Sequence, residues 1–212
     1  MRTTLQALAF GLALAGPAAA QDAGKQDPPR AHPGVDQKRV NIAVQKGVAF
    51  LKTSDSPGNF MSKNADELIL LTFLHAGVSE SDPRFKDLFT KMMEAPLERT
   101  YNVALQAMVL EELDRVKHQA RIHQCGQFLI DNQCDNGQWD YGDLTKIPKD
   151  TPSFSPPKNE DVATGGKKEK PKKCVQLKRY RSGTASGDNS NTQYAILGLR
   201  ACLEAGVLPP RE

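Results

Sequence analysis

Two stretches far apart in the chain match at six of eleven positions. "LILLTFLHAGV" at 68–78 and "LGLRACLEAGV" at 197–207 share both early leucines, a later leucine and a closing Ala-Gly-Val. Apolar residues at intervals of three and four form a stripe on a helix, and a glycine just past the stripe is a helix stop. A second pair sets "GVAFLKTSDSPGNF" (47–60) beside "GQFLIDNQCDNGQW" (126–139). Each has an aromatic-Leu pair at a helix end, a polar linker and then Gly-x-aromatic. Two helix types therefore alternate, and the repeating unit is an α-hairpin. Such a unit buries its apolar faces only against its neighbours, so the expected fold is a stack of hairpins.

The spacing predicts six helices. Val40, Val44, Val48 and Leu51 share one face of a helix begun by Asp36. Asn64 and Glu67 stand in capping-box register before a helix through Leu68, Leu71 and Leu74 to Gly77. Asp82-Pro83 opens a third helix that must stop near Pro96, residues 100–114 form a fourth, and 117–133 a fifth with Ile122, Cys125 and Leu129 on its stripe. Residues 188–206 form the sixth. No stretch alternates as a strand does.

Before the helices, Arg2, the apolar run Leu5 to Ala15 and Ala18-Ala19-Ala20 read as a signal peptide over 1–20, so the expected location is outside the cytoplasm. The apolar run falls short of the roughly 20 residues a bilayer span requires. Residues 21–35, with His32, are polar and proline-rich and read as a tether to a domain at 36–207.

The stretch "FLIDNQCDNGQW" resembles the QW motif of the squalene-hopene cyclase and protein prenyltransferase superfamily, with Phe128, Leu129, Gln133, Gly137 and Trp139 in register. The copy at 47–60 is degenerate, with Asp55 for Gln and Phe60 for Trp. The resemblance covers roughly 36–142 and 188–207. It implies an all-α fold, an α/α toroid of inner and outer helices, here a partial ring of about three hairpins. The physics of these five residues points to a structural clasp. Gln133 can bond backbone groups left free at a helix end, Gly137 permits a tight turn, and Trp139 can stack on the Gln amide while its N–H finds an acceptor.

Catalytic equipment is harder to find. The cyclases of that superfamily carry a D-x-D-D-T-A stretch, and the nearest match is "DNSNTQ" at 188–193, in which Asp188 and Thr192 fit while Ser190 and Asn191 replace the central acids. A hydroxyl cannot supply the acid that olefin protonation demands, so Asp188 is the one weak catalytic candidate, and helix capping by Asp188, Ser190 or Asn191 is its competing role. Tyr101, Tyr141, Thr192 and Tyr194 are the candidates to line a cavity. The zinc set of the prenyltransferases has no counterpart, and His118, His123 and Cys125 lack paired metal-ligand spacing, so neither a metal nor another cofactor is expected. His75, near its helix C-terminus, suits the helix dipole. Cys125-Gly-Gln falls short of the Cys-Gly-Glu-Gln thioester run of complement-like proteins, since Phe128 stands where the final Gln belongs. The expectation is a scaffold or binding protein, with an isoprenoid-type enzyme as the alternative.

Residues 143–187 are rich in Pro, Gly, Lys and Ser and read as a disordered insertion. From 146 to 181 eleven Lys and Arg face four acids, a local +7, whereas the rest of the exported chain carries −5. A basic arm of this kind suits an anionic surface, and export argues against nucleic acid. Of the four cysteines, Cys125 and Cys202 read as buried thiols, while Cys134 and Cys174 flank the insertion and are candidates to clip its ends. Three hairpins are fewer than a closed ring of the resembled family contains. The sequence therefore predicts either further repeats or self-association through an exposed repeat edge.

Overall fold

The computed structural model of the chain describes residues 34–54, 65–144, 169 and 171–210. The expected signal peptide, nearly all of the tether with His32, and Asp55, Phe60 and Asn64 lie outside the described residues, as do residues 145–168. Among the described residues the fold is all-α, with six helices: α1 (Gln37–Thr53), α2 (Ala65–His75), α3 (Pro83–Glu94), α4 (Thr100–Asp114), α5 (Gln119–Asp131) and α6 (Asn189–Glu204). Two short strands, β1 (Val175–Gln176) and β2 (Val207–Leu208), complete it. The chain divides into two units, residues 1–40 and 41–212.

In the first unit, the Asp36 carboxylate accepts from the Lys38 and Arg39 backbone N–H groups at 3.0 and 3.3 Å and so starts α1. Val35 and Val40 are exposed. In the second unit, α1 uses less of its expected stripe than the spacing predicts. Val48 and Leu51 pack against the core, whereas Val44 stays exposed. Phe50, the aromatic of the degenerate copy, is 68% exposed, while Phe128 of the intact copy is fully buried.

Helix α4 is the hub, buried through Val103, Ala104, Leu105, Ala107, Val109 and Leu110. It packs against α2, α5 and most extensively α6, while α3 lies on α2, and α5 also contacts α6. The α4–α6 contact is close because Gly198 faces Ala104. A Cβ added at Gly198 would sit 2.7 Å from the Ala104 Cα.

The helix ends follow their local chemistry. Asp82 caps α3 by accepting from Arg84 and Phe85 N–H, and Pro83 needs no partner there because it lacks an N–H. Both repeated Ala-Gly-Val segments end in the same left-handed glycine, with φ +72° at Gly77 and at Gly206. After α2, the Val78 N–H reaches the Phe73 carbonyl at 2.9 Å and the Gly77 N–H the Leu74 carbonyl at 3.1 Å, a Schellman closure. Helix α5 is two residues shorter at each end than expected. Asp114 holds the Val116 and Lys117 N–H groups in the turn before it, and Asn132 and Gln133 enter the turn after it.

The described part of the insertion departs from expectation at 171–187. Residues 171–187, read as disordered, are bound to the body along their length. β1 pairs in parallel with β2, Val175 opposite Val207, and Leu177 is buried. Gly183 N–H donates to the Gln133 carbonyl, and the Asp135 N–H donates to the Thr184 carbonyl. Glycine is required here for approach rather than for freedom. A Cβ at Gly183 would collide with the Asn132 carbonyl, and one at Gly187 with the Trp139 carbonyl. The two strands were missed because each has only two residues, too few to show alternation. The candidate Cys134–Cys174 clip is not formed: both thiols are free, Cys174 is exposed, and buried Cys134 lies 3.3 Å from the Thr184 hydroxyl.

Candidate functional site

Trp139 sits in a turn that joins the end of α5 to the start of α6. Its indole N–H donates to the Leu129 carbonyl at 2.7 Å, and its backbone N–H donates to the Thr192 hydroxyl at 3.0 Å. Short antiparallel bridges pair Trp139 with Gln133 on one side and with Asp188 on the other. The Gln133 amide donates to the Gly137 carbonyl at 3.1 Å across a turn in which Gly137 has φ +85°. Phe128 and Leu129 are fully buried beneath it. Thr192, one of the cavity candidates, is part of this joint. It accepts from Trp139 and donates to the Asp188 carbonyl at 2.6 Å.

Asp188 caps α6. Its carboxylate accepts from the Ser190 hydroxyl at 2.6 Å, the Asn191 backbone N–H at 2.8 Å and the Asn191 side-chain amide at 2.7 Å. These bonds, led by the Ser190 hydroxyl, favour the ionised form and hold its pKa below the usual carboxylate range. A carboxylate so held is a poor proton donor.

Of the four cavity candidates, two meet. Tyr101, in the first turn of α4, and Tyr194, in the second turn of α6, have ring centroids 3.9 Å apart with planes tilted by 42°. Desolvation, then the contact with Tyr194, pushes the Tyr101 phenol up to about 12. Further along the same helices lies a hollow of about 340 Å³ between α2, α4 and α6, lined by Leu71, His75, Met108, Arg115, Leu197 and Glu204 among others. Its rim is ionic. Arg115 pairs with Glu111 at 2.8 Å and with Glu204 at 3.3 Å, linking α4 to α6. Tyr141 stands apart. It is 65% exposed and borders a second hollow of about 530 Å³ with Glu98, Arg99 and Asp143.

Two polar groups in the core went unnoticed in the sequence. Glu67, read only as a capping residue, is 6% exposed, and the Asn102 amide donates to its carboxylate at 2.9 Å. Desolvation raises its pKa. One turn on from Asn102, Gln106 donates to the Met92 carbonyl at 2.6 Å and accepts from Arg121 at 3.1 Å and from the Cys125 thiol at 3.3 Å. The available signal was an amide at i and i+4 within the otherwise apolar stretch 103–110 and its approach.

The His118, His123 and Cys125 side chains have separate surroundings. His118 lies edge-on to Phe89 with centroids 5.8 Å apart, and burial lowers its pKa to about 4. His123 is buried, with its pKa lowered by desolvation, and Cys125 contacts Gln106. Among the described residues no three His, Cys, Asp or Glu side chains gather as a metal site. Comparison with protein-family models, curated proteins and solved structures returns no match for this chain.

Proposed function

We propose that the chain is an exported, non-catalytic binding protein built as a partial α/α toroid, with α2, α4 and α6 as inner helices and their shared face as the ligand surface. The observation that carries this reading is the groove itself, in which Leu71, Met108, Leu197 and Ala201 meet six polar or charged side chains, Arg115 and Glu204 among them, with the Tyr101–Tyr194 pair further along α4 and α6. The packing of α4 against both α2 and α6, with α3 on α2 and α5 on α4 and α6, supports the alternation of inner and outer helices. The resemblance of residues 128–139 to the QW motif supports it independently. Against an isoprenoid-type enzyme stands Asp188, whose hydrogen bonds stabilise the charged form that a general acid must leave. The buried Glu67 is already bonded to Asn102.

The reading is tested with the apolar fluorophore 1-anilinonaphthalene-8-sulfonate and with squalene and farnesyl diphosphate. The native protein should bind the fluorophore, Leu197→Glu should abolish that binding without unfolding the protein, and both isoprenoids should be recovered unchanged. Turnover of either one, or fluorophore binding indifferent to Leu197→Glu, would refute it.

A further inference from the structure

Residues 171–181 read "PKKCVQLKRYR": five cations and no acid in one continuous run. The segment is held by its backbone. Val175 and Leu177 N–H donate to the Gly206 and Leu208 carbonyls, both at 2.8 Å. The Gln119 and Gln127 amides, from α5, donate to the Lys173 and Lys178 carbonyls at 2.7 and 2.6 Å. Tyr180 N–H donates to Asp131 at 2.9 Å, and Leu177 is buried. The backbone therefore faces the body while the side chains of Lys172, Lys173, Lys178, Arg179, Tyr180 and Arg181 are exposed.

The cations flank β1: Lys172 and Lys173 lie in a bend before it, and Lys178, Arg179 and Arg181 follow it. At about 3.3 Å per residue of extended chain, Lys173 and Lys178 are separated by at most roughly 16 Å along the backbone. Lys172, Lys173, Lys178 and Arg179 form no ion pair with a described residue. Arg179 is oriented by neutral acceptors, the Gln133 carbonyl at 2.8 Å and the Arg181 carbonyl at 3.3 Å, so it is held in place without an ion-pair partner among the described residues. Asp131, the acid beneath the segment, is buried and spends its two oxygens on Tyr180 N–H and the Gln127 amide. Arg181 reaches the Asp143 backbone carbonyl at 3.0 Å.

We propose that residues 171–181 form a preformed rail for a linear anionic polysaccharide, with the cations meeting its charged groups and Tyr180 lying against a sugar ring. The rail does not pay the ordering cost that a disordered arm would on binding. Nucleic acid fits less well, because single strands are held by successive aromatics that stack successive bases, and this rail has one. A bilayer fits less well too. The single buried leucine points inward, and the exposed side lacks the apolar face that interfacial anchors use.

The test is titration of the full chain with heparin and with polygalacturonate over a salt series, against poly(dT) and vesicles rich in phosphatidylserine. At least one polysaccharide should bind more tightly than poly(dT) and the vesicles. The triple variant Lys172→Gln, Lys173→Gln, Lys178→Gln should weaken it about tenfold or more and flatten its salt dependence. Tyr180→Ala should weaken binding while leaving the salt slope unchanged, and Lys86→Gln, on α3, should change nothing. Unchanged melting temperatures establish that the variants are folded. Wild-type affinity in the triple variant, preference for poly(dT) or vesicles, or binding of neither polysaccharide would overturn the proposal.

Discussion

At Trp139 the side chain is almost fully buried, its indole N–H is satisfied by Leu129, and its backbone joins both neighbouring elements. Trp139→Ala should therefore cost about 3–5 kcal/mol in urea denaturation. Tyr141→Ala, two residues on but largely exposed, should stay within about 0.5 kcal/mol. Equal losses at the two positions would mean that Trp139 is not the anchor. Glu67 calls for a different experiment. Its native pKa lies above the unfolded value of 4.5, so the native state holds the proton more tightly. Below that pH both states are protonated and nothing is lost; as pH rises through the native value, ionisation of the desolvated carboxyl removes stability. Glu67→Gln keeps an acceptor for Asn102 and discards the charge. It should melt higher than wild type at pH 7 and match it below pH 4.5. An advantage that persisted at low pH would point to packing rather than ionisation. The sequence displayed Trp139 because Gly-x-Trp is a local pattern. It hid Glu67, since the partner that makes it unusual lies 35 positions away.

Helices α2, α3, α4 and α6 were legible because caps and stripes are local: Asp82 before Pro83, Asp188 before α6, and glycine after α2 and α6. What could not be read was how closely the helices approach. Gly198 has no turn to make. It lets α6 lie on Ala104 of α4, and a methyl group there would press on that backbone and on the Leu129 side chain at 3.1 Å. Gly198→Ala should raise helix propensity and yet destabilise the protein by about 1–3 kcal/mol, because overpacking outweighs the propensity gain. A stabilised variant in thermal melts would show that the two helices can part at little cost. The same blindness explains the insertion. Its glycines and lysines have the composition of disorder, while Gly183, Gly187 and buried Leu177 are there to let backbone meet backbone.

For the molecule as a whole, the four thiols report on how far the fold acts as one. Cys125 on α5, Cys134 in the turn after it and Cys202 on α6 are buried, and Cys174 beside β1 is exposed. Burial, above all, pushes the Cys125 thiol up to about 12 and the Cys202 thiol well above its ordinary value, so neither offers thiolate to a reagent while the fold is closed. Treatment of the reduced native protein with a thiol reagent such as dithiobis(nitrobenzoate) should label Cys174 rapidly and the other three slowly. If α4, α5, α6 and the segment at 171–187 open together, the three slow thiols should react at one rate that accelerates in step with global unfolding in urea. Cys134 reacting well ahead of Cys125 and Cys202 would mean that the Trp139 joint and the segment resting on it open before the helices separate. Equal protection would make the joint part of the same cooperative unit as the helices it connects.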